Sequence, residues 1–383
     1  MPRSFFDRLH IAADSDIIIM VLYVNAFERT QRMKIVVLCG GKSPERDVSL
    51  STGAQVASAL RLSGHSVAVV DSAADQPDDF APLFKSGEGG LSSAIGDKAP
   101  DIAALLARPE YFGKNVIEIC RSADIVFNAM HGAAGEDGTL QAAFDTLGVK
   151  YTGSGARACA VSMDKTVAKR MMAPVKGVTM PAGVSIDHGD FEGNEALSAA
   201  SLLEKVGLPM VVKPACGGSS VGVSIVRDEN ELLPALELAL SYEPRVVAEE
   251  YIKGREFSVG VLGGRALPVI EIRPKTGFYD YKNKYQSGCT DEICPADIPE
   301  EIEAEMKNAA VLVHEELGLS AYSRTDFIVT DEGRVYALEA NTLPGMTPMS
   351  LLPQEAAAVG IGFPELCQII IEESMNKYDR TDS

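Results

Sequence analysis

Four side chains near the end of this 383-residue sequence have the chemistry of a site for charged substrates. Arg324 and Asp326 lie in Ala321-Tyr-Ser-Arg-Thr-Asp-Phe-Ile-Val329, and Glu339 and Asn341 lie in Arg334-Val-Tyr-Ala-Leu-Glu-Ala-Asn341. Asp331-Glu-Gly333 between them reads as a turn, so the two runs form a hairpin. Residues two apart on a strand share a face, which sets Glu339 beside Asn341. Oxygen donors on neighbouring strands suit Mg2+, which binds through one or two carboxylates plus substrate phosphates. Solvated carboxylates on an exposed strand are the competing reading. The apolar neighbours Phe327-Ile-Val and Tyr336-Ala-Leu point to burial, where an uncompensated carboxylate is costly.

A second constellation is Met210-Val-Val-Lys213-Pro-Ala-Cys216-Gly-Gly-Ser219-Ser220-Val-Gly222. Its flanks read as strands and its glycines and serines as their connection. Such a loop brings backbone N–H groups and hydroxyls close to an anion, and a lysine ending the first strand adds a point charge for phosphate. From this stretch alone an ordinary hairpin tip stands equally.

The elements that must position these groups follow in order. Residues 34–39, 48–62 and 65–70 read as strand, helix and strand around Gly40-Gly-Lys-Ser-Pro-Glu45, a βαβ start. Gly41-Lys-Ser43 has the end of a P-loop, but Val36 stands where its first glycine belongs. Residues 73–115 read as loops with a short helix. Residues 124–128 read as a buried strand leading into His131-Gly-Ala-Ala-Gly-Glu-Asp-Gly138, with a helix from about Thr139; loops at the carboxyl ends of such strands bind ligands. A lone His131 there reads first as a structural hydrogen-bonder. Gly153-Ser-Gly155 mimics a dinucleotide fingerprint without the acidic residue it needs. Residues 162–172 read as one short helix and 229–240 as another. Residues 245–262 read as two strands joined by a turn at Lys253-Gly254, 266–273 as a further strand, and 299–317 as a helix. Residues 277–288 are polar and aromatic without a period, and loops of that length are often lids.

Composition narrows the function. Apolar residues at 46% and charged residues at 23% describe a globular chain long enough for two or three domains. A net charge of −19 argues against nucleic acid or an anionic membrane as partner. Seven scattered cysteines without a CxxC pair suit a reduced cytoplasm. No run reaches membrane-spanning length. The short apolar run 16–24 follows Asp14 and Asp16 and has no cleavage site, so residues 1–32 read as an extension, expected to be poorly ordered, rather than a signal peptide.

Taken together, the motifs at Gly40, His131, Ser162-Met-Asp-Lys165, Lys213, Phe278-Tyr-Asp-Tyr-Lys-Asn-Lys-Tyr285 and Glu339-Ala-Asn-Thr-Leu-Pro-Gly-Met-Thr347 resemble the D-alanine–D-alanine ligases of the ATP-grasp superfamily. The resemblance runs from about Lys34 to the C-terminus. It implies a mixed α/β ATP-grasp fold in three domains: a Rossmann-like unit at 33–158, a central unit at 159–241 and a C-terminal unit at 242–383. It also implies a reaction in which ATP phosphorylates one D-alanine and the amine of a second attacks the acyl phosphate.

Carried onto this sequence, Lys165, Lys213, Ser219 and Ser220 match groups on the ATP phosphates. Glu249, Tyr251, Ile252 and Glu256 match the hinge that holds adenine and ribose. Asp326, Glu339 and Asn341 match the ligands of two Mg2+ (or Mn2+). Glu45 matches the anchor of the first D-alanine's ammonium, with Ser219 and Tyr285 in its network. Arg324 matches the arginine that stabilises developing charge, and Lys284 one that helps the loop close. His131, Gly345, Ser350 and Leu351 match the substrate pocket, Ser350 lying near the second carboxylate. A homodimer is the implied assembly. Two departures are Ala-Cys-Gly-Gly before Ser219, where relatives often carry polar residues, and Asp47, where a glutamate is common. The rival readings are a D-alanine–D-serine or D-alanine–D-lactate ligase of the vancomycin-resistance type, a non-catalytic ATP-binding protein and a nicotinamide-dependent oxidoreductase.

Overall fold

The computed structural model describes residues 32–87, 102–218, 220–275 and 289–379. All but the last residue of the N-terminal extension, Ser219, and the loop carrying Lys284 and Tyr285 lie outside them.

The first unit is a parallel sheet with strand order β2-β1-β3, built from β1 (Lys34–Cys39), β2 (Ser66–Asp71) and β3 (Ile125–Asn128). The unbroken run Ile35-Val-Val-Leu38 is wholly buried, as a parallel strand covered on both faces requires. Helix Arg46–Leu62 makes the crossover and buries Val56, Ala57 and Leu60 in the same core. That core is closed by the last helix of the chain, Phe363–Asp379, through Leu366 and Ile370. A contact of 2.7 Å between His65 Nε2 and Gln368 Oε1 ties the two ends together.

The middle sheet is antiparallel with order β4-β7-β5-β6, comprising β4 (Gly183–Asp187), β5 (Met210–Pro214), β6 (Ser224–Val226) and β7 (Arg245–Glu250). Helices Glu195–Lys205 and Glu229–Leu240 bury Leu202, Leu232 and Leu236 against Met210, Val212 and Val246. The second helix starts at a capping box made by Asp228 and Glu231, which satisfies otherwise orphaned N–H groups. The third sheet is antiparallel with order β11-β10-β8-β12-β13: β8 (Arg255–Leu262), β10 (Ile270–Pro274), β11 (Thr290–Ile293), β12 (Tyr322–Val329) and β13 (Val335–Asn341), with β9 (Arg265–Ala266) paired to β8. Helix Glu300–Glu316 covers one face, setting Met306 and Ala310 on Phe257, Val259 and Phe327.

Three local expectations are corrected. The strands read as a hairpin across 245–262 belong to different sheets: β7 pairs with β4 and β5, β8 with β10 and β12. The turn at 251–254 is instead a crossing between sheets, because each strand's apolar residues bury against a different helix layer. Residues 156–172 form two helices, Ala156–Met163 and Lys165–Met172, broken at Asp164, whose carboxylate accepts from the N–H groups of Thr166 and Val167. The strand expected at 266–273 splits into β9 and β10, since Pro268 has no N–H for a ladder. Among the described residues no helix is long and apolar enough to cross a membrane.

Candidate active site

A cleft of about 660 Å3 is lined from one side by the middle sheet and from the other by the third. Lys165, Lys213 and Glu249 line one wall, and Glu256, Asp326 and Glu339 the other. Strand alternation explains the second wall. On β12, Thr325, Phe327 and Val329 are buried beneath the helix, while Arg324, Asp326 and Ile328 are only half-buried on the opposite face. Ser220, Tyr251 and Ile252 also line the cleft.

The deepest charges form a chain. Glu249, 3% exposed, is paired with both Lys213 and Lys169. Burial alone would raise the Glu249 carboxyl, but the two ammonium groups outweigh it and hold it below its ordinary value. Burial likewise pulls Lys213 down, yet Glu249 and Glu339 hold it above its ordinary value. In Lys169 burial prevails and the ammonium is pulled down against Glu249. The cluster carries one net positive charge at the cleft floor, an arrangement that suits a polyanion. Lys165 bridges the walls: its Nζ donates to Gly217 O at 2.7 Å and lies 3.3 Å from Glu339 Oε2.

On the other wall the hairpin register sets Asp326 opposite Glu339 and Arg324 opposite Asn341, with a bulge after Asp326. Two facing carboxylates repel unless cations separate them. Arg324 forks onto Asp326 through Nε and Nη2, both at 2.8 Å, and Ser258 Oγ donates to Asp326 at 2.9 Å. Asn341 Oδ1 accepts from Leu343 N–H at 2.9 Å, which fixes the amide. Two carboxylates and an amide oxygen are an all-oxygen donor set, the kind a hard divalent cation takes together with substrate phosphates. Among the described residues no group of three or more His, Cys, Asp or Glu stands ready to hold a metal.

A second group gathers at the first unit. Arg46 pairs with Asp71 and donates to Gly41 O at 2.9 Å, pinning the loop that presents Glu45. Gly132 has φ +78°, and a Cβ there would lie 2.1 Å from Ser43 Oγ and 2.8 Å from Glu45 Oε2. A Cβ on Gly218, in the glycine loop, would come 3.8 Å from the same Glu45 oxygen, so the loop and Glu45 are neighbours. Gly132→Ala is therefore expected to destabilise the fold by about 1–3 kcal/mol through strain and overpacking. A thermal melt superimposable on the wild type would show instead that Ser43 and Glu45 yield.

His131 is 5% exposed, with Nε2 2.9 Å from Thr52 Oγ1 and Nδ1 3.7 Å from Glu136 Oε1. Both ring nitrogens face protein partners, so the ring orients its loop. Burial pushes the Glu136 carboxyl up; His131 opposes this and the Glu45 charge reinforces it. Ser350 Oγ accepts from Thr347 N–H at 3.1 Å, and Gly345 lies close enough that a Cβ would sit 2.9 Å from it. Leu351 packs its side chain on Ile270 and Ile272, leaving only its backbone to face a substrate.

Sequence reasoning missed Lys169, Ser258 and Glu136. Lys169 had a signal, since it lies one helical turn from Lys165 on the same face. Ser258 had none, because only the pairing of β8 with β12 brings it to Asp326.

Residues 34–154 match the family model described as D-ala D-ala ligase N-terminus, and residues 174–372 the one described as D-ala D-ala ligase C-terminus. The sequence is 41% identical over 357 residues to a D-alanine–D-alanine ligase of Pediococcus pentosaceus, covering 91% of this chain and 99% of that one. A crystal structure of D-alanine–D-alanine ligase from Bacillus anthracis complexed with ATP superposes with a TM-score of 0.69 at 29% identity, covering 91% and 99%. The VanG D-Ala:D-Ser ligase from Enterococcus faecalis superposes with a TM-score of 0.69 at 27% identity, covering 90% and 100%.

Proposed function

The chain belongs to the D-alanine–D-alanine ligase family, and from that premise we propose how its own residues join two D-alanine molecules with ATP. The fold is the family's mixed α/β ATP-grasp fold, and the activity is the ADP-forming ligation that supplies peptidoglycan precursors. The three units remain part of the reading. Their second boundary is drawn at residues 251–254, because Arg245–Glu250 pairs with the middle sheet.

The observation that carries the site assignment is the position of Lys165, joined to the glycine loop at Gly217 and to the hairpin at Glu339. Nucleotide phosphates in this cleft would lie between Lys165 and Lys213, with Glu249 keeping Lys213 charged and aimed. In this reading Ser219 and Ser220 are donors to the phosphates. Tyr251 and Ile252, on the crossing between sheets, and Glu256, at the start of β8, take adenine and ribose. Two Mg2+ (or Mn2+) held by Asp326, Glu339 and Asn341 would neutralise the phosphate charge. Glu45 takes the ammonium of the first D-alanine, whose carboxylate oxygen receives the γ-phosphoryl group. ADP leaves as the acyl phosphate forms; the amine of the second attacks its carbonyl carbon, the C–N bond forms, and phosphate leaves with its bonding electrons while the nitrogen gives up its extra proton to the departing phosphate. Arg324 stabilises the charge that builds up there, a role for a preorganised donor. Ser350 and the backbone of Gly345 and Leu351 receive the second carboxylate, and His131 supports the pocket. Lys284 and Tyr285 would complete the site from their loop. A homodimer and a cytoplasmic location complete the proposal; the free cysteines fit a reducing compartment.

Phosphate release with ATP, Mg2+ and D-alanine alone tests this reading. The expected result is saturable release, with added D-serine or D-lactate contributing little mixed product. No release with D-alanine alone overturns it. Faster release when D-serine is supplied beside D-alanine would move the chain to the type of its VanG neighbour.

A further inference from the structure

Glu355 is a wholly buried acid to which none of the roles above gives a part. It sits on helix Leu351–Ala358, which begins directly after Ser350. Its Oε2 accepts the backbone N–H of Gly260, ninety-five residues away in sequence, at 2.8 Å. The other carboxyl oxygen, Oε1, has no hydrogen-bond partner among the described residues. Gly260 is the cross-strand partner of Arg324, and paired strand residues project to the same face. The charged groups that act on Glu355 are Arg324 and Asp326.

The need for this acid is legible in the sheet. Opposite Gly260, β9 and β10 are interrupted at Leu267-Pro268-Val269. Leu267 N–H takes the Gly260 carbonyl at 2.8 Å, while the Gly260 N–H turns to Glu355 instead of a strand. Buried backbone donors are almost always satisfied, so the helix supplies what the broken strand lacks. Glycine is the residue that lets it approach. A Cβ at position 260 would lie 2.3 Å from Glu355 Oε2 and 2.4 Å from Leu352 Cδ1.

We propose that Glu355 is a positioning residue: by accepting the Gly260 N–H it locks the helix that starts at Ser350 to the strand beside Arg324. It thereby sets the spacing between the pocket for the second substrate's carboxylate and the arginine that serves the reacting carbon. This inference rests on the ligase reading above. Burial holds the Glu355 carboxyl well above the usual carboxylate range, opposed by Arg324 and by the Gly260 N–H. Glutamine is its isostere and keeps a carbonyl acceptor for the same N–H. The lock joins the second substrate's pocket to the strand beside Arg324, and none of the groups assigned to the nucleotide itself, Lys165, Lys213, Tyr251, Ile252 and Glu256, takes part in the Glu355–Gly260 bond.

The test is steady-state phosphate release from the full chain, with KM for ATP and for the second D-alanine measured separately. Glu355→Gln keeps a carbonyl acceptor and is expected to stay within about twofold of wild type in every constant. Glu355→Met keeps the volume but removes the acceptor. It is expected to raise the KM for the second D-alanine about tenfold, with a fall in kcat and an unchanged KM for ATP. Should the methionine variant fail to fold, Glu355→Asp carries the test, since it draws the carboxyl back from Gly260 and is expected to show the same selective KM change. Unchanged D-alanine constants in a folded Met or Asp variant overturn the proposal. So does a Gln variant as impaired as Met, or a parallel rise of both KM values, which would mark a merely structural role. A wild-type chain that releases no phosphate with D-alanine sinks the ligase reading itself, an outcome distinct from active wild type with indifferent variants.

Discussion

Arg324→Ala should lower kcat by about 10^2–10^3-fold while leaving ATP binding measurable. The guanidinium lies on the cleft-facing side of β12, held as a two-pronged fork on Asp326. Its orientation is therefore set before any substrate arrives, which is what makes a charge-stabilising group effective. The residues assigned above to the nucleotide itself, Lys165, Lys213, Tyr251, Ile252 and Glu256, stay intact in this variant, so ATP binding should outlast turnover. Lysine at 324 should not restore the rate, because a single ammonium cannot reproduce the planar fork. Equilibrium binding of ATP alongside single-turnover phosphate release is the decisive pair of measurements. Turnover within a few fold of wild type in the alanine variant would remove Arg324 from the mechanism.

Glu249→Gln should be the most damaging change on the opposite wall. It deletes the carboxylate that pairs with both the buried Lys213 and the half-buried Lys169, leaving the two lysines facing each other across a neutral amide. Breaking a buried ion pair by removing one partner costs about 3–5 kcal/mol, and here a single carboxylate serves two cations. Denaturant unfolding should show that loss, and surviving protein should bind ATP weakly because Lys213 is no longer held in place. The sign of the pH dependence follows from the same pairing. The Glu249 carboxyl is held below its ordinary value of 4.5, so its contribution to stability is complete above that value. The contribution fades as pH falls further, through the lowered value in the folded chain. Wild-type stability should drop across that acid range, and the glutamine variant should lack that part of the fall. Equal unfolding midpoints for the two proteins at neutral pH would show that the cluster contributes nothing to the fold.

Each of these expectations has a part that the sequence alone supplied. Residue type and spacing were enough for the hairpin carrying Arg324, Asp326, Glu339 and Asn341, because strand periodicity and a turn signal are local. They were also enough for the glycine loop after Lys213 and for the helix at 229–240, whose leucines declare their face. The motifs taken together pointed to the family. What stayed hidden was which elements meet. Arg245–Glu250 and Arg255–Leu262 look like a hairpin because only four residues separate them, and local signals do not say which sheet a strand joins.

Lys169 and Lys213 converge on Glu249 only once a helix, β5 and β7 come together, and the last helix closes the first core across the length of the chain. Glu355 is the sharpest case. In sequence it is an acidic residue on an alanine-rich helix, indistinguishable from a solvated one. Its partner is the Gly260 N–H, which turns to the helix where β9 and β10 are interrupted, and that vacancy exists only in the assembled sheet. The sequence by itself determined the family and which residues are candidates for the chemistry, because side-chain type and short-range periodicity are written locally. Only the tertiary structure decided which charges are buried together and which backbone groups they must satisfy, because burial and pairing depend on contacts between distant segments.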